Sequence, residues 1–182
     1  MLKQLCVATL TLGLASCSWL GGDEYFPLDD GTSWNYTLDF VSPDGKKKKQ
    51  LEIRTEGEAT FMSGEDEVGG MIRRTSDGTD YFIQERNDGY YRVGKRVIVE
   101  TKPQADKEAR LVLPKGRNLR VGYTWTLETS PYVMHWMPPF IEANGSIKPF
   151  DLVFEIASLD ETVQTPAGVF EKCVRVDAAG KM

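Results

Sequence analysis

The sequence predicts an all-β domain, mainly antiparallel and with little helix, built as a curved half-barrel sheet or a β-sandwich. Apolar and polar residues alternate with a period of two in several short runs, most clearly in residues 34–40 and 121–127. Turn signals such as Asp77-Gly78 and Asn87-Asp88-Gly89 separate these runs, as in an antiparallel meander. A helical apolar stripe is not kept over any window of about eleven residues.

The same signals place the individual elements. The predicted strands are residues 34–40, 51–56, 71–74, 81–85, 90–101, 121–127, 152–156 and 172–176. Pro43-Asp44-Gly45 predicts the first turn. We expect residues 63–70, with their acidic run, to form a solvated loop, and residues 102–109 to form a short helix or loop. The lysine run 46–49 is typical of a solvated strand edge, and contact with lipid phosphates is the alternative.

Two stretches of the chain share a pattern. Leu28, Gly31 and Trp34 recur as Leu119, Gly122 and Trp125, 91 residues further on. Chance similarity between two aromatic strands is the default interpretation, and a duplication is the alternative. In both cases the glycine is expected to let the chain turn into a strand whose tryptophan anchors the core.

Composition restricts the partners. The chain has 182 residues, which is enough for one domain with a real core. Its formal net charge of −5 indicates a mildly acidic surface. Nucleic acid is not an expected partner, because its phosphates require clustered Lys and Arg.

The first seventeen residues resemble a bacterial lipoprotein signal peptide. Lys3 supplies the positive start, an apolar run follows, and Leu14, Ala15, Ser16 and Cys17 form a lipobox. The run is shorter than the roughly 20 apolar residues that a spanning helix needs. The predicted organisation is a signal peptide at 1–16, a lipidated cysteine and flexible tether at 17–24, and a single β domain at 25–182.

This resemblance implies a cellular location for the protein. Cys17 becomes the first mature residue and carries lipid, including palmitate, which attaches the protein to a membrane. Ser18 after that cysteine resembles outer-membrane lipoproteins, so the expected location is the bacterial cell envelope, at the inner leaflet of the outer membrane and facing the periplasm. The eight residues from Cys17 to Tyr25 reach at most about 28 Å, which keeps the domain close to the bilayer.

The body of the chain also resembles a family, that of uncharacterised bacterial lipoproteins and secreted proteins. Its opening Tyr25-Phe26-Pro27-Leu28 and its closing Pro166-Ala167-Gly168-x-Phe170-x-x-Cys173 hairpin carry the resemblance. The family implies no activity. Its members usually continue past this hairpin into another strand. We therefore expect that this sequence is either a truncated part of a longer protein or has a fold that closes differently.

Signal removal leaves two cysteines, Cys17 and Cys173. If lipid occupies Cys17, the exported domain contains no disulfide and depends on packing alone. We expect Cys173 to be a small buried hydrophobe facing away from Phe170, Val174 and Val176. Pairing of its thiol with a partner protein is the alternative.

Catalytic and metal chemistry have little support in the sequence. His135 is the single histidine, and no nucleophile elbow or phosphate-binding glycine loop accompanies it. A hydrolase would have to use His135 as its base. Met134, His135 and Met137 could hold Cu(I), with Cys173 as a further ligand, but such residues in an apolar stretch more often pack. We therefore expect no cofactor and no enzymatic activity.

The apolar segment around residues 132–141 is the predicted contact site. Its candidate contact residues are Met134, Trp136, Met137, Phe140 and Ile141. Exposed, they would form an adaptable patch for a protein, lipid or peptide. Folded back, they would instead plug one end of the β core. The sequence leaves these two alternatives open.

Taken together, these features predict a lipid-anchored, non-enzymatic binding or assembly subunit with an envelope protein as its partner. A carrier of a small hydrophobic ligand or lipid is the alternative, and a hydrolase is the third. An open apolar cavity would favour the carrier, and a filled core would favour the assembly subunit. The sequence does not indicate an oligomeric state.

Overall fold

A computed structural model of the chain describes residues 25–42, 45–129 and 149–180. These residues form two antiparallel sheets and one 3-10 turn at Gly116–Asn118. The first sheet contains β1 (Ser33–Ser42), β2 (Gly45–Ser63), β3 (Asp66–Thr75), β4 (Asp80–Arg86), β5 (Gly89–Arg96) and β6 (Gln104–Pro114). The second contains β7 (Thr124–Thr129), β8 (Phe150–Thr165) and β9 (Gly168–Gly180). The all-β prediction is confirmed, and the first sheet curls as a half-barrel.

Strand order follows the chain in both sheets, so every neighbouring pair is a hairpin or a direct sequential connection. Asp77-Gly78 lies in the turn from β3 to β4, and Asn87-Asp88 forms the turn from β4 to β5, as predicted. Gly45 pairs with Ser42 at the first hairpin, whose two turn residues 43 and 44 lie outside the described residues.

Two predicted loops are wrong. Residues 63–70 contain the end of β2 and the start of β3, which are joined by a turn at Gly64-Glu65. The acidic residues are compatible with strands because they remain exposed at the end of a long hairpin. Residues 102–109 mostly belong to β6, which is an edge strand of the first sheet. Charged residues are tolerated on such an edge, so their abundance there is compatible with a strand.

The predicted strand at 90–101 ends early, at Arg96. A turn follows it, in which the Val97 amide donates to a carboxylate oxygen of Glu100 at 2.8 Å and the Glu100 amide donates to the Val97 carbonyl at 2.8 Å. Glu100 therefore stabilises this turn. The predicted strand is too long because the β-branched residues before Glu100 favour a strand.

The core has two parts. Leu28, Ile83, Tyr90 and Leu113 form one buried cluster, against which Val174 and Val176 of β9 pack. This cluster therefore joins the first sheet to the second. Its members and neighbours also include residues of the segment that precedes β1, namely Tyr25, Phe26 and Leu28.

The second core cluster contains Phe61, Phe82 and Val93, all from the first sheet. The Phe61 and Phe82 rings meet edge to face, with centroids 4.7 Å apart. Phe82 and its neighbour Ile83 are both buried but belong to different clusters, and the β4–β5 register shifts between them. The first sheet thus buries side chains on both faces.

The end of the chain departs from one expectation. Val174 and Val176 pack against the core as predicted, but Phe170 is 49% exposed and does not share their surroundings. Lys172 has a φ of 55°, and the β8–β9 register shifts between Glu161 and Val163. This irregularity changes the alternation of β9, which a regular period of two could not indicate. Cys173 is half-buried and free, so its expected full burial is not found.

The two similar sequence stretches have the same structure. The Gly31 amide donates to the Thr55 carbonyl at 2.9 Å, and the Gly122 amide donates to the Ile156 carbonyl at 2.9 Å. In return, the Thr55 amide donates to Thr32 at 2.8 Å and the Ile156 amide to Tyr123 at 3.0 Å. The glycine φ angles are 83° and 79°. Both glycines therefore make the same left-handed turn into a strand.

The agreement continues along the strands. Trp34 pairs with Ile53 in the first sheet, and Trp125 pairs with Phe154 in the second. The next hairpin is also irregular near the same point, because the β2–β3 register shifts between Glu56 and Glu58 and the β8–β9 register shifts between Ile156 and Ser158, one residue apart in the aligned units. The second sheet thus repeats β1, β2 and β3, which favours a duplicated unit over the chance similarity taken as the default.

Candidate functional site

Every site residue predicted from the sequence, apart from Cys173, lies outside the described residues. This applies to the lipobox residues and the lipidation site, which are Leu14, Ala15, Ser16 and Cys17. It applies equally to the contact segment and the weak copper site, which are Met134, His135, Trp136, Met137, Phe140 and Ile141. These assignments stay predictions.

The described residues on either side of the contact segment lie next to each other. Thr129, the last residue of β7, pairs directly with Phe150, the first residue of β8. Thr129 and Phe150, which flank the undescribed residues 130–148, are therefore neighbours in the second sheet. Leu127 and Glu128 immediately precede Thr129, and both line a groove between the two sheets.

This β6–β7 groove has a volume of about 550 Å³. It is bordered by β6 on one side, by β7 on the other and by Lys95 at the end of β5. Six of its lining residues are charged: Lys95, Asp106, Lys107, Glu108, Arg110 and Glu128. Its size is that of a ligand or peptide site, but its lining is far more polar than that of a typical small-molecule pocket.

Two hydrogen bonds hold the walls of the groove together. The Trp125 indole N–H donates to the Leu111 carbonyl at 3.1 Å, and the Arg110 guanidinium donates to the Glu128 carbonyl at 2.6 Å. Both cross from one sheet to the other. Trp125 is itself buried and stacks on Phe154 with centroids 5.3 Å apart, so this wall is rigidly positioned.

The groove charges divide into occupied and available groups. Asp106 accepts two hydrogen bonds from Arg92, at 2.8 Å and 2.7 Å, which commits its carboxylate. Lys107 and Glu108 are exposed, and neither makes an ion pair with another residue in the described parts of the chain. The groove therefore presents adjacent charges of both signs to a ligand.

A second cavity, of about 110 Å³, lies where the segment before β1 meets the end of β6. Tyr25, Tyr90, Leu113 and Leu119 contribute to its lining. Its volume is below the roughly 300 Å³ at which drug-sized ligand pockets begin. We regard it as a packing gap.

The most strongly linked charges surround Asp80, which is 2% exposed. It lies directly between its strand partners Arg74 and Arg96, whose guanidinium groups donate to its carboxylate at 2.7 Å and 2.5 Å. Burial acts to raise the pKa of Asp80, but the two arginines outweigh it and the pKa is lowered. An ionised carboxylate paired on both sides ties three strands together and leaves no lone base for catalysis.

Arg73 is a half-buried cation that holds the segment before β1. Its guanidinium lies 3.8 Å from the Phe26 ring centroid and 4.6 Å from that of Trp34, and it donates to the Pro27 carbonyl at 2.8 Å. Burial lowers the pKa of Arg73 to about 10, opposed by the nearby Tyr36, so the group stays charged at neutral pH. The Arg73 guanidinium thus packs against both aromatic rings and links the segment before β1 to the first sheet.

Within residues 25–42, 45–129 and 149–180, His, Cys, Asp and Glu side chains do not gather in groups of three that could hold a metal ion. The helical structure in the same ranges lacks the length and apolar character that a bilayer span requires.

Comparison of the chain with protein-family models, with curated proteins and with solved structures gives no match. The groove is therefore interpreted from its own residues. Sequence reasoning missed it, because β6 was expected to be a helix or loop and the contact between β6 and β7 is tertiary. The run from Gln104 to Arg110 contained the signal, in its dense charges of both signs.

Proposed function

We propose that this protein is a non-enzymatic binding or assembly subunit of the bacterial envelope, attached to the membrane through lipid on Cys17. It would receive an extended segment of a partner protein in the β6–β7 groove. The apolar residues around Trp136 would extend that contact, because Thr129, the last described residue before them, directly follows the groove-lining Glu128.

The observation that carries the proposal is the charged lining of a groove of about 550 Å³. A lipid or small apolar ligand needs an apolar lining, whereas a peptide chain brings its own charges and backbone hydrogen bonds. Lys107 and Glu108 can pair with such groups without first breaking an internal ion pair. This favours an assembly subunit over a carrier.

Core packing supports the same choice. Phe61, Phe82 and Val93 fill the space on one face of the first sheet, and the cluster around Ile83 and Tyr90 fills the other. A carrier with a half-barrel sheet would instead leave one apolar face open to its cargo.

Site-specific photocrosslinking tests the groove. A photoreactive phenylalanine replaces Lys107, and a matched variant carries it at Glu65, an exposed residue of the β2–β3 turn. We expect discrete protein adducts in intact cells from position 107 only, and their loss when Glu108→Lys is added. Equal adducts from both positions, or none from either, would reject the groove as the partner site.

Two further measurements separate the remaining parts of the proposal. Native mass spectrometry of the full protein extracted from membranes detects a bound lipid or small ligand, which would favour the carrier. Incorporation of labelled palmitate, compared between the wild type and Cys17→Ala, tests the anchor. Persistent labelling and membrane retention in Cys17→Ala would show that the lipoprotein assignment is wrong.

The contact segment can be tested through Trp136→Ser. If Trp136 contacts a partner, the melting temperature should stay nearly unchanged while partner or liposome binding weakens. If the segment plugs the core, the same change should lower the melting temperature strongly.

A further inference from the structure

The internal repeat draws attention to the outer edge of β9. In the first sheet, the equivalent strand β3 pairs with β4 through residues 71–74. Arg74 lies opposite Arg54 and Asp177 lies opposite Glu155, at matching positions of the two hairpins, so residues 71–74 correspond to 174–177. Among the described residues, no strand pairs with the outer edge of β9. An unpaired edge is a template for another strand.

The sequence of this edge is complementary in charge to its own reverse. Around Val176 as centre, Arg175 is mirrored by Asp177 and Val174 is mirrored by Ala178. The side chains of Arg175 and Asp177 are 53% and 56% exposed. They bind each other within the strand at 2.9 Å and 3.0 Å, which leaves them free to exchange partners at little cost.

We propose that a second copy of this chain pairs with β9, antiparallel and about a two-fold axis at Val176. Arg175 of each copy then faces Asp177 of the other, and Val174 faces Ala178. The two three-stranded sheets become one six-stranded sheet through an isologous contact. This interface uses none of the β6–β7 groove, so it does not depend on the proposed function.

Two features favour a second copy as the occupant. The first is charge complementarity, because the two-fold produces two opposite-charge cross-strand pairs and no like-charge pair at these positions. The corresponding edge of β3 uses the same device, since Arg74 faces Asp80 of β4. The second is position, because the kink at Lys172 separates residues 168–170 from the run 173–180, and the proposed two-fold at Val176 lies near the middle of that run.

Disulfide crosslinking of the full lipidated chain tests the register. In a Cys173→Ser background, Arg175→Cys and Asp177→Cys are produced together with tags of different size. The two thiols then face each other with Cβ atoms about 5 Å apart, and oxidation should give a mixed dimer. The native Cys173 should not crosslink to its copy, since six residues of strand separate the two by about 20 Å. The Cys173→Ser parent gives the background from other cysteines.

Charge reversal tests the pairing by sedimentation of the full chain in mild detergent. Arg175→Asp and Asp177→Arg each place like charges opposite one another, so each should raise the dimer dissociation constant at least about tenfold. The double change should bring the constant back to within about threefold of the wild type, because it restores both pairs in reverse order. Glu65→Lys in the exposed β2–β3 turn, away from both β9 and the groove, is the control and should have no effect.

A monomeric wild type at all concentrations would overturn the proposal. So would efficient crosslinking through Cys173, which requires another register, or a double reversal as weak as the single ones. If a single reversal lowers the melting temperature, the mixed crosslink decides the question without it.

Discussion

Thr55 and Ile156 occupy the same place in two equivalent halves of the molecule, and both side chains are fully buried, at 0% exposure. Each exchanges two backbone hydrogen bonds with the turn that opens its unit, at Gly31 and Gly122 respectively. They differ in one respect. The Thr55 hydroxyl has no hydrogen-bond partner among the described residues, while Ile156 is wholly apolar. The first half thus carries a buried polar group at a position that the second half fills with hydrocarbon.

Thr55→Val should therefore stabilise the protein by about 1 kcal/mol, because it replaces an unpaired hydroxyl by a methyl group of similar size. Chemical denaturation of the two proteins measures the difference. The reciprocal change, Ile156→Thr, should destabilise by about 2 kcal/mol, since it buries a new hydroxyl and removes packing. A loss of stability in Thr55→Val would mean that the hydroxyl has a partner outside the described residues.

The repeated turn predicts equal costs at its two glycines. A Cβ at Gly31 or Gly122 would meet no heavy atom within 4 Å, so backbone strain at φ values of 83° and 79° is the main penalty. Gly31→Ala and Gly122→Ala should each cost about 1 kcal/mol of unfolding free energy. Gly57→Ala is the matched control, since its Cβ also meets nothing within 4 Å and its φ is not positive. Unequal costs at the two turns would argue against their structural equivalence.

Removing the charge of Asp80 should be the most damaging single isosteric change in the first sheet. Asp80→Asn leaves Arg74 and Arg96 without their shared carboxylate, and we expect a loss of about 2–4 kcal/mol. Lys48→Ala removes a solvent-exposed ion pair with Asp39 and is the control, with little expected change. Thermal unfolding at pH 7 measures both. Similar small effects would show that the Asp80 network contributes little to stability.

The lowered pKa of Asp80 also predicts how the stability of the protein changes with pH. Its pKa in the folded protein lies below the ordinary value of 3.8, so its stabilising contribution is complete above about pH 5. That contribution is lost as the pH falls through the folded pKa, because the unfolded chain then binds the proton more readily. Between about pH 5 and pH 2, Asp80→Asn should lose less stability than the wild type. Parallel stability curves for the two proteins would contradict the assignment.

Arg73 should control the order of the segment that precedes β1. Arg73→Met keeps a long side chain but removes the cation between Phe26 and Trp34, and the bond to the Pro27 carbonyl. Amide exchange of residues 25–28 should become faster, with a loss of about 1 kcal/mol in protection. Arg73→Lys should restore only part of it, since an ammonium stacks less well between rings than a planar guanidinium. Unchanged exchange in Arg73→Met would show that core packing alone holds the segment.

Much of the fold follows from local patterns. The period-two alternation around Trp34 and Trp125 and the turn signals at Asp77-Gly78 and Asn87-Asp88 led to the correct class and to most hairpins. The errors lie where local and tertiary signals conflict. The run 102–109 is charged because β6 is an edge strand, and a single sequence does not show which strand lies at an edge. The predicted shared face of Phe170, Val174 and Val176 fails at Phe170 because the kink at Lys172 has no marker in the sequence.

The candidate site was less predictable than the fold. The β6–β7 groove exists because the Trp125 indole reaches the Leu111 carbonyl across 14 positions of sequence. Neither residue belongs to a sequence pattern that predicts this contact. The apolar segment around Trp136, by contrast, is conspicuous in the sequence, but it lies outside the described residues.

The sequential strand order affects how the chain folds during synthesis. Each strand of the first sheet needs only the strand made just before it, so the six strands can pair one after another at low loop-closure cost. The interior cluster around Ile83 and Tyr90 stays incomplete until Val174 and Val176 arrive on the last strand. The nascent domain would therefore hold an assembled sheet with one apolar side uncovered for most of its synthesis, and interruption late in translation would release a species prone to aggregation.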